Sequence, residues 1–206
     1  MTKILTLALA TLLLVTTEAS ATRPTKARPL KTGQTTSYGA AGDTTAGLSR
    51  MYNDLGNGVI KDQRTGLFWE KKSDDDSIHD MDNAYSWSTG DPWAFNGTAA
   101  SVFLATLNAA PCFGGFCDWR LPTITELPTL VDYGNAVPAV PAAFNTGCTA
   151  GCTVTTCSCT RSSYYWSSST SPSNPLGAWY VYFYDGYVGT YSKADSEFVR
   201  AVRSGS

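Results

Sequence analysis

Hydrophobic and polar residues alternate most regularly near the C-terminal end of the chain. The stretch AWYVYFY, residues 178–184, is followed by Asp185-Gly186 and then by YVGTYS. An Asp-Gly pair between two alternating runs is the strongest short-range signal for a β-hairpin. A two-residue turn would pair Tyr184 with Tyr187 and Tyr182 with Gly189, and we predict two antiparallel strands in that register.

The alternation also divides this hairpin into two faces. The face that we interpret as the core side holds Trp179, Val181, Phe183 and Val188. The other face consists of tyrosines, namely Tyr180, Tyr182, Tyr184, Tyr187 and Tyr191. Tyrosine combines a large contact area with low entropic cost and a polar hydroxyl group, so this face suits the binding of sugars or protein. A face covered by a loop, or a self-association surface, is the alternative.

Helical periodicity is clearest in GTAASVFLATLNAAP, residues 97–111. Its apolar residues recur at spacings of three and four, at Ala100, Phe103, Leu104 and Leu107. Thr98 is placed to cap this helix and Pro111 to end it. A second helix is predicted further along, where Thr123 and Glu126 have capping-box spacing. Pro128 falls inside it and removes a backbone donor, so this second helix should be short or bent.

The second helix is preceded by CDWRLP, residues 117–122, which we interpret as a structural corner. Trp119 and Leu121 alternate as core residues of a short extended segment. Arg120 should pair with a carboxylate, either Glu126 or Asp118, and so hold the corner in place.

Turn signals also divide NDLGNGVIKDQRTGLFWEKK, residues 53–72, at Asn57-Gly58 and at Thr65-Gly66. Short apolar runs follow each turn, which predicts a β-hairpin in this region. A last strand is predicted in EFVRAVR, residues 197–203. Two short helices between antiparallel hairpins indicate an α+β fold in a single domain.

The N-terminal residues 1–21 have the features of a cleaved signal peptide. Lys3 precedes an apolar run from Ile4 to Val15, and Ala19-Ser20-Ala21 provides a cleavage site. Residues 22–50 form a basic arm or linker rich in Thr, Gly and Ala, and residues 51–206 form the domain. The protein is therefore expected to be secreted or at the cell surface, in the periplasm or outside the cell.

The net charge of the chain limits the classes of partner that we expect. The formal net charge is −2 at pH 7, and so weak a charge argues against nucleic acid as a partner. After residue 21 the sequence contains no apolar run long enough to span a membrane.

The six cysteines are an even number in an exported chain, which favours disulfides over a zinc site. Cys112 and Cys117 could close a small loop. A bond between Cys157 and Cys159 would be strained, so each should reach back to Cys148 or Cys152, with both pairings open.

Candidates for catalysis are few. His79 is the only histidine and lies in an aspartate-rich loop, which we interpret as a solvated position. No nucleophile elbow and no phosphate-binding glycine loop occur, and no cofactor is expected apart from calcium. Oxygen ligands for calcium could come from the same loop, which lacks the glycine and terminal glutamate of an EF-hand. These weak candidates are Asp74, Asp76, Asp80 and Asp82.

Several motifs in order resemble one family. They are GNGVIKDQRTGLFWEKK, DWRLPTITEL, TTCSCTRSSYYWSSS, AWYVYFYDGYVG and the terminal FVRAVR. Over residues 50–203 the chain resembles the Lcl C-terminal domain family, named for a collagen-like bacterial adhesin. The resemblance implies a C-type-lectin-like mixed fold and a surface or secreted binding module without catalytic residues. The adhesin's domain binds sulfated glycosaminoglycans as a trimer, but this chain lacks a Gly-X-Y segment and is mildly acidic, which disfavours that partner here.

We therefore expect a non-catalytic binding or adhesion module whose ligand is a glycan, another surface polymer or protein. A self-associating structural component, forming a homo-oligomer, is the first alternative. An enzyme that resembles formylglycine-generating or carbohydrate-active proteins is the second, and its first version requires a free, reactive pair of cysteines.

Overall fold

The computed structural model describes residues 29–37, 39–40, 42 and 44–205. The predicted signal peptide lies outside these residues. None of the helices in the described part is both long enough and apolar enough to cross a membrane. The strands found there are β1 Tyr52–Asp54, β2 Val59–Asp62, β3 Phe68–Glu70, β4 Ala84–Ser86, β5 Tyr164–Thr170, β6 Gly177–Tyr182, β7 Tyr187–Ser192, β8 Ser196–Phe198 and β9 Val202–Arg203.

The first sheet has the strand order β1-β2-β3-β9 and confirms the hairpin predicted in residues 53–72. Ile60 pairs with Asp54 on one side and with Trp69 on the other, so both turn signals separate neighbouring antiparallel strands. Gly58 has a φ of +88°, and a Cβ there would approach the Phe113 ring to 2.8 Å. Glycine is therefore required at this turn for conformation and for space.

The second sheet has the order β4-β8-β5-β6-β7, in which β5 and β8 run parallel. The β6–β7 hairpin is present, but its predicted register is wrong, because Tyr187 pairs with Tyr182 instead of Tyr184. Phe183 leaves the ladder: its N–H donates to Ser163 O at 2.9 Å and its carbonyl accepts from Ala139 N–H at 2.8 Å. Because of these two hydrogen bonds, β6 ends at Tyr182, two residues before its predicted end. Since the shift is even, the two predicted faces are preserved.

The first predicted helix is formed by a π-helical segment, Ala99–Leu104, that continues into the α-helix α1, Ala105–Asn108. Phe103, Leu104 and Leu107 are buried, as the periodicity predicts. The predicted cap is wrong, since Thr98 makes no side-chain capping bond. Its hydroxyl group instead accepts from the Ser86 N–H at 2.8 Å.

The second predicted helix is a 3₁₀ turn, Leu127–Leu130. The described residues therefore contain one short α-helix where two helices were expected. Pro128 cannot donate a backbone hydrogen bond, which agrees with so short an element. The capping pair is nevertheless present, because the Thr123 N–H donates to Glu126 Oε2 at 2.8 Å and the Glu126 N–H donates to Thr123 Oγ1 at 3.3 Å. Two further 3₁₀ turns span Phe113–Gly115 and Ala142–Phe144.

The two sides of the second sheet are buried in different clusters. Trp166, Ala178 and Tyr180 pack with α1. Tyr165, Val181 and Phe183 pack with the first sheet and the 3₁₀ turns. The result is a sheet-rich α+β domain, and the C-type-lectin-like assignment stays a prediction.

Part of the predicted arm lies against the domain. The Leu48 N–H donates to Pro29 O at 2.8 Å within the arm, and the Tyr133 N–H of the domain donates to Thr32 O at 2.7 Å. The Arg50 guanidinium also donates to the Val131 carbonyl. The domain boundary at residue 51 stays a prediction.

All six cysteines form disulfides, so none remains as a thiol. Cys112 pairs with Cys117, as expected. Of the two pairings left open for the others, the structure has Cys148–Cys159 and Cys152–Cys157. The formylglycine-type alternative requires a free pair of cysteines. That requirement is not met, because the six cysteines form three disulfides.

Glu70 is the centre of a buried ionic network. Its side chain is 0% exposed, with Oε1 at 3.3 Å from Lys72 Nζ and 2.8 Å from His79 Nδ1. Burial alone would raise the pKa of Glu70, but Lys72 and His79 outweigh it and that pKa is lowered. The solvated position expected for His79 is wrong, since its ring also packs on Phe113 with the centroids 4.1 Å apart.

Arg200 extends this network to the disulfide-bonded loop. Its side chain lies in the core, at 1% exposure. Its guanidinium donates to Glu70 O at 2.7 Å, to Cys159 O at 2.6 Å and to Thr160 Oγ1 at 2.8 Å. One residue thereby joins β3, the loop and the C-terminal segment.

Candidate binding surface

Five tyrosines on one face of the second sheet form what we call the tyrosine surface: Tyr164, Tyr180, Tyr182, Tyr187 and Tyr191. The register places Tyr164 opposite Tyr182, and Tyr182 opposite Tyr187. The ring of Tyr164 lies at the centre, with centroid distances of 4.5 Å to Tyr182, 4.7 Å to Tyr180 and 6.2 Å to Tyr191. The rings therefore contact one another as a single aromatic patch.

The tyrosine surface differs from the sequence prediction at two positions. Tyr164 was missed, because its strand partner is set by a long-range pairing that no local pattern reveals. Tyr184 lies in the β6–β7 turn and not in a strand, but its ring stacks on that of Tyr182 at 5.5 Å and 15°. Tyr184 thus extends the aromatic patch beyond the sheet.

The patch is open to solvent at its outer edge. Tyr187 is 60% exposed and Tyr191 is 46% exposed, whereas Tyr180 is 9% exposed. Between the two outer tyrosines lies Gly189, where a Cβ would approach Tyr180 Oη to 2.6 Å. The glycine therefore allows the Tyr180 side chain to lie across β7. Tyr180 thus forms the buried base of the tyrosine surface.

Glu197 lies on the same face, at the inner edge of the tyrosine surface. It pairs with Tyr85 in β4, and the parallel pairing of Tyr165 with Phe198 places it beside Tyr164. Only 9% of Glu197 is exposed. Burial, with a smaller contribution from Asp195, raises the pKa of Glu197 to about 7. No other described residue forms a hydrogen bond or ion pair with its carboxyl group.

Two cations on segments that adjoin the second sheet, Lys193 and Arg161, are engaged by other groups. Lys193 Nζ donates to Trp93 O at 3.0 Å and lies 4.1 Å from the centroid of the Trp87 ring. Arg161 pairs with Asp82 and approaches the ring of Phe198, which faces the other side of the sheet. The unpaired charge along the tyrosine surface is therefore negative.

The calcium candidates are only partly brought together. Asp74, Asp80 and Asp82 have carboxylate oxygens within 4.8 Å of one another, and Asp76 is not in this group. Asp80 Oδ2 accepts two backbone N–H groups at 2.8 and 2.7 Å, and Asp82 pairs with Arg161. Because hydrogen bonds within the loop account for much of this arrangement, a calcium site stays a prediction.

The corner residues lie away from the tyrosine surface. Trp119 is 3% exposed. Arg120 donates two hydrogen bonds to the Glu126 carboxylate, at 2.8 and 2.7 Å, while Asp118 pairs with Arg203. The bond with Arg120 is the main cause that lowers the pKa of Glu126 to about 2.

Arg120→Ala should lower the free energy of unfolding by about 1–2 kcal/mol, since a bidentate pair is lost but is partly exposed. Its pH profile provides a check. Glu126 stabilises the fold above its ordinary pKa near 4.5, and this contribution is lost as pH falls toward 2. Urea denaturation at pH 7 and pH 3 should show a smaller pH effect in the variant. Equal stability of the two proteins at pH 7 would contradict the corner role.

Taken together, these features define a small disulfide-bonded α+β domain with an exposed aromatic surface. The Lcl C-terminal domain profile matches residues 58–203, well over half of the chain, and the chain belongs to that family. The family is adhesin-associated and is not a known enzyme family. No curated protein and no solved structure shows a significant match to the chain. The predicted family is thus confirmed, with a start near residue 58 instead of 50.

Proposed function

We propose that this domain is a secreted or surface binding module that recognises a glycan or another extracellular polymer through the tyrosine surface. The observation that carries the proposal is the aromatic patch centred on Tyr164, with Tyr187 and Tyr191 about half exposed at its edge. An exposed patch of large rings is typical of a binding site. The three disulfides fit an extracellular or surface location.

The geometry suits a polymer of sugar rings. The tyrosines stand on three hydrogen-bonded strands whose opposite face is buried by Val181 and Phe183. A rigid support of this kind reduces the entropy that is lost when a ligand binds. Apolar faces of sugar rings can pack on the tyrosine rings, and the phenol hydroxyl groups can exchange hydrogen bonds with sugar hydroxyls.

Tyr187→Ala and Tyr182→Ala should each weaken glycan binding by about tenfold, which corresponds to about 1.4 kcal/mol. The protein would be applied to an array of neutral and sulfated glycans, and affinities for the hits measured by calorimetry. Leu55→Ala is the control: Leu55 is 38% exposed and lies between β1 and β2 of the first sheet, outside the tyrosine surface. Its binding should equal that of the wild type.

Two results would refute the proposed function. One is the absence of any hit on the array. The other is binding that is insensitive to both tyrosine substitutions. Light scattering on the same samples tests self-association through the tyrosine surface, because an oligomer that dissociates in the Tyr187→Ala variant would favour the structural alternative.

A further inference from the structure

We propose that Glu197 is a ligand-binding residue and that the tyrosine surface is therefore selective for a neutral, hydroxyl-rich glycan over a sulfated one. This inference rests on the proposed function and names the class of ligand for the same surface.

The first argument is the position of Glu197 in a row of side chains across the sheet. Strand pairing places Tyr85 beside Glu197, Tyr164 beside Tyr182, and Tyr182 beside Tyr187. The parallel pairing of β5 with β8 joins the Tyr85–Glu197 pair to the tyrosines, because it places Glu197 next to Tyr164. The carboxyl group therefore lies where the exposed rings meet the buried end of the same face.

The second argument is that nothing within the fold explains an ionisable group there. Glu70 has three hydrogen-bond donors and Glu126 has a bidentate arginine, but no described residue donates to Glu197. The Glu197 oxygens are not among the fully buried partnerless atoms of the described residues, so they face solvent while most of the side chain is covered. A carboxylate that is only partly hydrated in this way is less stable than one in open water. Hydroxyl groups of a sugar that packs on Tyr164 would supply the missing donors.

The third argument is charge. Asp185 and Asp195 are exposed in the turns at the two ends of β7, and Lys193 and Arg161 are engaged elsewhere. Sulfate groups are bound in proteins by clusters of arginine and lysine. A surface with a partnerless carboxylate and no available cation among its described residues repels them.

The ionisation of Glu197 gives an independent check. The groups around it are Tyr85 on β4, Tyr164 on β5, Tyr180 on β6 and Asp195 in the preceding turn. The folded-state pKa of about 7 exceeds the ordinary 4.5, so the destabilisation is complete above pH 7 and disappears below pH 4.5. Glu197→Gln should therefore melt several degrees higher than the wild type at pH 8, with little difference at pH 4.5.

The decisive experiment compares wild type and Glu197→Gln on pairs of polysaccharides that differ only in sulfation, such as dextran and dextran sulfate, together with the array hits. At pH 8 the wild type should bind the neutral member of a pair at least tenfold more tightly. Glu197→Gln should lose at least fivefold in affinity for the neutral ligand and should narrow the difference within the pair. Asp195→Asn, which removes the same charge from an exposed position, should keep the neutral affinity.

The outcomes separate the two proposals. Binding that depends on Tyr187 but is unchanged in Glu197→Gln, or that favours the sulfated member, overturns the role of Glu197 and leaves the proposed function standing. Binding that ignores Tyr187, or no binding to any neutral or sulfated probe, overturns both. The melting temperatures show that Glu197→Gln is folded and that any lost affinity arises at the surface.

Discussion

Arg200→Ala should lower the free energy of unfolding by about 3–5 kcal/mol, as expected when one partner is removed from a buried ionic network. Domains of this size are stable by about 5–15 kcal/mol, so much of the stability would be lost. The reason is that Arg200, at 1% exposure, donates to two backbone carbonyl groups and the Thr160 hydroxyl. Without the guanidinium, these buried acceptors have no donor in its place.

The measurement is urea denaturation followed by tryptophan fluorescence, with Arg161→Ala as the control. Arg161 also pairs with a carboxylate, but the side chains of both Arg161 and Asp82 are about half exposed. An exposed pair contributes about 0–1 kcal/mol, so the control should unfold close to the wild type. Similar losses in the two variants would show that burial is not what makes Arg200 important.

Arg200→Lys adds a stricter test of geometry. Lysine retains the charge but has one donor atom in place of the planar fork that reaches two separate segments. Burial already lowers the pKa of Arg200, and it would lower that of a lysine further. We expect the lysine variant to be nearly as unstable as the alanine variant, whereas full rescue would mean that charge alone is required.

The hairpins could be predicted from the sequence because their signals are local. Asn57-Gly58, Thr65-Gly66 and Asp185-Gly186 each lie between alternating runs, and each separates paired strands. The register of the last hairpin could not be predicted in the same way. It depends on the bonds of Phe183 to Ser163 and Ala139, which are distant in the sequence.

Long-range pairing also explains why the inner edge of the tyrosine surface was missed. Tyr164 and Glu197 are 33 positions apart in the sequence, and only the parallel pairing of β5 with β8 brings them together. The charged run Glu70, Lys71 and Lys72 is likewise typical of a solvated strand end, yet all three residues are buried. The Glu70 carboxylate pairs with Lys72 and His79, and Lys71 pairs with Asp54. Alternation predicts which face a side chain occupies, but not whether that face is covered.

Replacing both Cys148 and Cys159 by serine should lower the free energy of unfolding by about 3 kcal/mol, the value expected for the loop that this disulfide closes. The bond spans 11 positions and holds the loop whose Cys159 carbonyl accepts from Arg200. Loss of the disulfide should therefore also weaken that hydrogen bond. The smaller loop closed by Cys112 and Cys117, with a separation of 5, is the matched control, and its serine variant should lose about 2 kcal/mol.

Combination of the two changes tests the link between the disulfide and the ionic network. If the disulfide positions the Cys159 carbonyl for Arg200, then the triple variant Cys148→Ser, Cys159→Ser, Arg200→Ala should be less destabilised than the sum of its parts. Arg200→Ala combined with the Cys112 and Cys117 substitutions should instead be additive, because that loop makes no hydrogen bond with Arg200. Additivity in both combinations would show that the disulfide and the network stabilise the domain independently. Non-additivity confined to Cys148–Cys159 would identify the loop, β3 and the C-terminal segment as one cooperative unit.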